Sequence, residues 1–205
     1  MDTSSLGVFV AASVALLIVP GPAVLYIVGR SLRHGRAAGF LSVLGICTGT
    51  LLHVVAAALG LTALLRASPI AFSAIRYAGA AYLVWLGVQA LRSGERSIAT
   101  ESASHDGALQ IFRQGVLVNV LNPKTALFFL AFLPQFVNPA RGAVGGQVLF
   151  LGGLFVVLSL VSDSAYAFLA GTFGRYLQRD PRFWRSQRYV TSGIFVALGL
   201  LAALA

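Results

Sequence analysis

Long apolar stretches alternate with shorter polar connections along this chain, at about 6–29, 38–65, 70–91, 115–137, 144–171 and 188–205. A helix needs roughly 20 apolar residues to cross a hydrocarbon core, so the pattern predicts six transmembrane helices. Two stretches, the first and the fourth, are interrupted by helix-breaking residues. Pro20 and Pro22 carry no N–H and deprive the carbonyls of Leu16 and Ile18 of their helical partners, while Gly21 between them removes the side-chain barrier to unusual backbone angles. Pro123 does the same to the carbonyl of Asn119, with the amides of Asn119 and Asn122 at hand to satisfy orphaned groups. A lipid core offers no water for that purpose. Broken helices at corresponding places in two halves of a chain are the best sequence pointer to a transporter's binding site.

Only 10% of the residues are charged and mean hydropathy is +0.84, against about 25% charged residues in soluble domains. That excludes an ordinary soluble domain. A net charge of +9 raises the question of a polyanionic partner, which the placement of the basic residues answers. Eleven of them (Arg30, Arg33, Arg36, Arg92, Arg96, Arg113, Arg175, Arg179, Arg182, Arg185 and Arg188) fall in the connections after the first, third and fifth stretches; three, Arg66, Arg76 and Arg141, fall on the other side. By the positive-inside rule the odd-numbered connections are cytoplasmic and both termini face outward. The charge then needs no nucleic acid, and the expected location is the cytoplasmic membrane, with the bilayer as partner. The N-terminus lacks a positive region and its apolar run is long, so it reads as a retained first span rather than a signal peptide.

The polar stretch 92–114 reads as a cytoplasmic linker between two halves, 1–91 and 115–205, with Leu109-Gln110-Ile111-Phe112-Arg113 as a candidate interfacial turn leading into the fourth span. Three spans per half is an odd number, so the halves enter the membrane from opposite faces. The expected fold is an all-α polytopic membrane protein, six transmembrane helices arranged as two inverted three-helix repeats.

Lys124 is the cation hardest to explain as structure. It lies about nine residues, roughly 13 Å at 1.5 Å per residue, from the cytoplasmic end of its span, too far for comfortable snorkelling. An ammonium at that depth costs about 2.5–3.5 kcal/mol on insertion scales. Asp163 is the one carboxylate inside an expected span and lies at nearly the same depth, as does the Pro20–Pro22 break. Opposite charges at one depth suggest a pair, which lowers the cost of holding either; a static pair and a working pair both fit. Ser159 and Tyr166 share the helix face of Asp163 at i−4 and i+3. Gly45, Gly49 and His53 share another face, where the glycines permit close helix approach and His53 reads first as a packing residue. Substrate contact is therefore expected at Pro20, Gly21, Pro22, Asn119, Asn122, Pro123, Lys124, Asp163 and Tyr166. Asp163 and Lys124 are the expected proton-coupling groups, with His53 as a further candidate.

Enzyme signatures are missing: there is no His-Glu-x-x-His, no phosphate-cradling glycine loop and no pair of intramembrane carboxylates. One cysteine, Cys47, and three scattered histidines, His34, His53 and His105, make no metal cluster. No enzyme activity, metal or cofactor is expected.

In several motifs the chain resembles the LysE-type amino-acid exporter family, which includes the bacterial homoserine/threonine exporters. They are Pro20-Gly21-Pro22, Gly35-x-x-x-Gly39, Tyr77-x-Gly79-Ala80-x-Tyr82-Leu83-x-x-Leu86-Gly87 and Phe112-x-x-Gly115. The most specific is Asn119-x-x-Asn122-Pro123-Lys124, followed by Phe128-Phe129 and Pro134-Gln135-Phe136. The resemblance covers nearly the whole chain. It implies a secondary exporter of amino acids or related small metabolites, driven by protons, with no substrate fixed by the motifs; the two breaks add the expectation of alternating access around a central site between them. Two rivals stand beside it. A structural or regulatory membrane protein would need Lys124 and Asp163 only for folding. A divalent-cation exporter would need several ligands at one depth, where the sequence offers Asp163 and, a turn or two away, His53. Small-residue faces on the second and third spans suit internal packing or a homodimer.

Overall fold

The computed structural model describes residues 3–67 and 107–177, with single positions between 70 and 89 and between 189 and 200. The spans expected at 70–91 and 188–205 lie largely outside the described residues, and the linker region 92–106 entirely so.

Among the described residues all regular structure is helical. The helices are α1 (Thr3–Ile18), α2 (Pro22–Ala67), α3 (Ala108–Val120), α4 (Pro123–Leu127) and α5 (Val144–Leu177). The chain leaves α4 through a π-helical turn, Phe128–Phe132, and a 3-10 turn, Leu133–Phe136. Pro134 lacks the N–H that would bond the carbonyl of Leu130, and the N–H of Leu133 instead reaches back five residues to the carbonyl of Phe128.

α2 is interrupted at Gly35, where φ is 81°, a left-handed value that favours glycine. The interruption is a reversal of direction. In a straight helix Ser31 and Gly39 would stand roughly 12 Å apart along the axis, yet a Cβ added to Gly39 would meet the Ser31 hydroxyl oxygen at 2.0 Å. Ile27 and Ile46 likewise share one buried cluster. The limbs 22–34 and 36–67 therefore run as a hairpin, turning where the sequence places its first polar connection.

By length and composition, apolar stretches within Pro22–Gly60 and Val144–Thr172 are long enough to cross a membrane, and Ala108–Val120 with Pro123–Phe136, bent by 47°, makes a third candidate. α3 begins earlier than the polarity of the sequence suggests. Residues 108–114, expected as the end of the linker with an interfacial turn at 109–113, form its first turns, where Ile111 is buried and its carbonyl accepts a 2.6 Å hydrogen bond from the Tyr26 hydroxyl. The α2–α3 contact depends on glycine: a Cβ on Gly45 would come within 2.3 Å of the Phe112 carbonyl oxygen, and one on Gly49 within 2.8 Å of the Asn119 Cβ.

Two cores result. One is largely aromatic and surrounds Phe9, Phe128, Phe129, Phe132 and Phe155, with Leu16, Leu17 and Val54. The other gathers Ile27, Val43, Ile46, Cys47 and Ala167. Beyond the second core, the Gly35 turn, the start of α3 and the end of α5 meet. There the Arg30 guanidinium donates to the Gln114 side-chain carbonyl, and Arg36 donates to the Thr172 hydroxyl at 2.7 Å while lying 4.6 Å from the Phe168 ring centre. Residues from three connections that carry the positive charge in sequence thus lie at one end of the molecule.

Candidate functional site

A small cavity of about 30 Å³ lies between the two cores, space for about one or two water molecules. α1 contributes Leu16 and Leu17, the first break Gly21, and the start of α2 Ala23 and Val24. The limb after Gly35 adds Ile46 and Thr50. The second break supplies Asn119, Asn122, Lys124 and Thr125, and α5 supplies Phe155, Ser159 and Asp163. Both breaks face one space.

The orphaned backbone at the first break is satisfied from elsewhere in the chain. The carbonyl of Leu16 accepts from the N–H of Val19 at 3.1 Å. The carbonyl of Ile18 accepts from the Tyr166 hydroxyl at 2.7 Å. The carbonyl of Val19 accepts from the Lys124 ammonium. These groups form the C-terminal end of α1, where partial negative charge accumulates and a cation is favoured. Gly21 makes room for the lysine: a Cβ there would stand 3.1 Å from Lys124 Cδ.

Asn119 holds the second break together and uses its full bonding capacity in doing so. Its side-chain N–H groups donate to the carbonyl of Ile46 and to the Thr50 hydroxyl, each at 2.8 Å. Its side-chain oxygen accepts from Thr125 at 3.0 Å and from Asn122 at 3.3 Å. An amide offers two donors and two acceptor sites, so none is left over. Its backbone carbonyl, freed by Pro123, is taken by the N–H of Asn122 and by His53 Nε2, each at 3.0 Å. Since a carbonyl only accepts, the proton of His53 sits on Nε2. Asn122 caps α4, its side-chain oxygen accepting from the N–H of Lys124 at 3.1 Å.

Asp163 is 2% exposed and Lys124 8% exposed. One Asp163 oxygen accepts from the Ser159 hydroxyl at 2.8 Å, the partner its helix face placed at i−4. Lys124 and Asp163 share the cavity, but no direct ion pair joins them among the described residues. Each holds another partner while facing the same cavity: the ammonium donates to the carbonyl of Val19 and the carboxylate accepts from Ser159 on its own helix. A carbonyl left without a partner in an apolar surrounding is costly, and Val19 offers one within the lysine's reach.

A profile of the LysE type translocators matches residues 14–205. The chain belongs to this family. It is 35% identical over 205 residues to an uncharacterized membrane protein of Pseudomonas aeruginosa, covering 96% of this chain and 94% of that one. It is 30% identical over 197 residues to a homoserine/homoserine lactone efflux protein of Salmonella typhi, covering 96% and 95%. It is 28% identical over 201 residues to a leucine efflux protein of an Enterobacter species, covering 96% and 93%. No solved structure matches.

Of the side chains and backbone expected at the substrate of this LysE type translocator, Gly21, Asn119, Asn122, Lys124 and Asp163 line the cavity. Pro20, Pro22 and Pro123 shape the breaks without lining it. Tyr166 also stands off the cavity, its hydroxyl spent on Ile18. His53 is outside as well, its ring lying parallel to Phe129 with centres 6.2 Å apart. Thr50, Thr125 and Phe155 are lining residues that sequence reasoning missed. Thr125 had a signal, being next to Lys124 in the broken segment; Thr50 and Phe155 had none, since only the Gly35 hairpin and the packing of α5 bring them in.

Proposed function

We propose that this chain is a secondary active exporter of amino acids or closely related small metabolites in the cytoplasmic membrane. It works by alternating access around the cavity between the two breaks, in a fold of six spans forming two inverted halves. The observation that carries this reading is the placement of one ammonium and one carboxylate, separately held, on one buried cavity at two broken helices. Membership in a family of translocators and the efflux proteins among its relatives support it.

In the proposed cycle the substrate carboxylate draws the Lys124 ammonium away from the carbonyl of Val19. The start of α2, where Ala23 and Val24 line the cavity, adds N–H groups that have no helical acceptor and a favourable partial positive charge. Asp163 receives the substrate ammonium. The same carboxylate takes a proton when the substrate has left, so substrate and proton exclude each other there, which is the requirement for antiport. Release of Val19 loosens the end of α1, which lets the two halves move about the breaks.

The test is efflux from proteoliposomes loaded with a mixture of labelled amino acids. Acidifying the side from which the proton enters is expected to accelerate loss of at least one of them. Loss that is no faster than from protein-free vesicles, with or without the gradient, overturns the proposal.

A further inference from the structure

The helical limb 22–34 of α2 has a backbone interruption at each end. Pro20-Gly21-Pro22 precedes it, and Gly35, with φ at 81°, follows it. On its inner face Val24 lines the cavity, Ile27 belongs to the second core and Ser31 meets Gly39 across the turn. The Ser31 hydroxyl is buried there without a hydrogen-bond partner, so it does not tie the two limbs together. Tyr26 and Arg30, one turn apart, reach α3 instead. The Tyr26 hydroxyl donates to the carbonyl of Ile111 at 2.6 Å, and the Arg30 guanidinium donates to the Gln114 side-chain oxygen while lying 5.4 Å from the Tyr26 ring centre.

The other limb, 36–67, is joined to α3 in a different way. A Cβ on Gly45 would come within 2.3 Å of the Phe112 carbonyl oxygen, and one on Gly115 within 3.0 Å of the Ser42 carbonyl oxygen. Asn119 adds bonds to Ile46 and Thr50. Backbone packed on backbone resists sliding, whereas hydrogen bonds at the ends of long side chains are exchanged for water at small net cost. α3 and the limb 36–67 therefore move as one piece, and the limb 22–34 is the part free to swing. We infer that this limb is the cytoplasmic gate of the cavity, hinged at Gly21 and Gly35 and latched to α3 by Tyr26 and Arg30, an inference that rests on the export reading above. Moving it aside takes Ile27 away from Val43, Ile46 and Cys47, its companions in the second core, and Ile46 is also a wall of the cavity. The opposite end of the cavity is closed by stacked rings, with Phe128 and Phe155 centred 4.5 Å apart. Opening there wets a larger apolar surface.

Cys47, buried in that core and the one cysteine of the chain, is a native reporter. Membrane vesicles containing the full chain are treated with the impermeant reagent sulfonatoethyl methanethiosulfonate, and modification of Cys47 is followed by intact mass. In inside-out vesicles Tyr26→Phe/Gln114→Ala, which removes both latch bonds, is expected to react at least about fivefold faster than wild type. In right-side-out vesicles the two proteins should react at the same rate. Tyr26→Phe and Gln114→Ala alone should each give a smaller rise from the cytoplasmic face, which decides the matter if the double variant fails to insert. Rates equal to wild type from the cytoplasmic face overturn the gate, as does a rise from the outer face alone or equally from both. The readout needs no transport: failure here leaves efflux by the wild type standing, and failure of the export reading appears only in the efflux assay above.

Discussion

Lys124, in the second break, donates its ammonium to the backbone carbonyl of Val19 in the first. One interruption thus supplies the cation that the other interruption's orphaned carbonyl requires. The two breaks are complementary parts of one contact rather than two copies of a feature.

Gly21 sets how closely that contact can form. With a Cβ at residue 21 standing 3.1 Å from Lys124 Cδ, Gly21→Ala forces the lysine to shift by a few tenths of an ångström. Because the lysine stem is flexible, the fold is expected to survive. Counterflow in proteoliposomes should slow several-fold while the melting temperature of the purified protein changes little. A wild-type exchange rate would show that the approach of Lys124 to the first break has no part in transport.

Tyr166→Phe removes the hydroxyl that bonds the carbonyl of Ile18 and keeps the ring. A typical hydrogen bond contributes about 1 kcal/mol net, so the protein should melt a few degrees lower and still insert. Since Tyr166 does not line the cavity, the apparent substrate affinity is expected to hold while the maximal rate falls. A change confined to affinity would instead place the hydroxyl on the substrate.

Asn119→Ala and Asn122→Ala separate structure from site. The first deletes four side-chain hydrogen bonds and strands buried partners on α2 and α4, a loss of roughly 2–4 kcal/mol. It should lower the yield of monodisperse protein in size-exclusion chromatography. The second removes a helix cap, worth about 1 kcal/mol, and should leave a folded protein. Equal losses of folded protein from both would contradict the distinct roles assigned here.

Much of this arrangement was legible in the sequence because prolines, intramembrane charges and glycine spacing act locally. The orphaned carbonyls of Leu16, Ile18 and Asn119 follow from the positions of Pro20, Pro22 and Pro123 alone. Their partners do not: Tyr166 and Lys124 reach α1 only after α5 and the second break are packed against it, and no local rule selects Val19 as the acceptor. Equal depth brought Lys124 and Asp163 to one cavity but did not show the partners each takes there, Val19 and Ser159. No local rule places the five-residue hydrogen bond from the N–H of Leu133 to the carbonyl of Phe128 that makes the turn at Phe128–Phe132 π-helical. Apolarity alone set the start of α3 too late: the turn at 109–113 continues directly into the helix, and the burial of Ile111 inside a polar segment is visible only in three dimensions.

His53 donates from Nε2 to the carbonyl of Asn119, outside the cavity. His53→Gln, whose amide offers a donor in place of Nε2, is expected to keep proton-driven efflux within about twofold of wild type, by the small net worth of one hydrogen bond. His53→Leu should lower thermal stability instead. Loss of proton coupling in a stable His53→Gln protein would make the histidine part of the proton path.

The most direct test compares gradient-driven efflux of a labelled amino-acid mixture from proteoliposomes holding wild-type protein, Lys124→Met or Asp163→Asn, each at matched incorporation. Wild type should empty of its substrate, and each variant should lose it no faster than protein-free vesicles. Efflux at the wild-type rate from both folded variants would contradict the assignment of the cavity between the two breaks as the transport site.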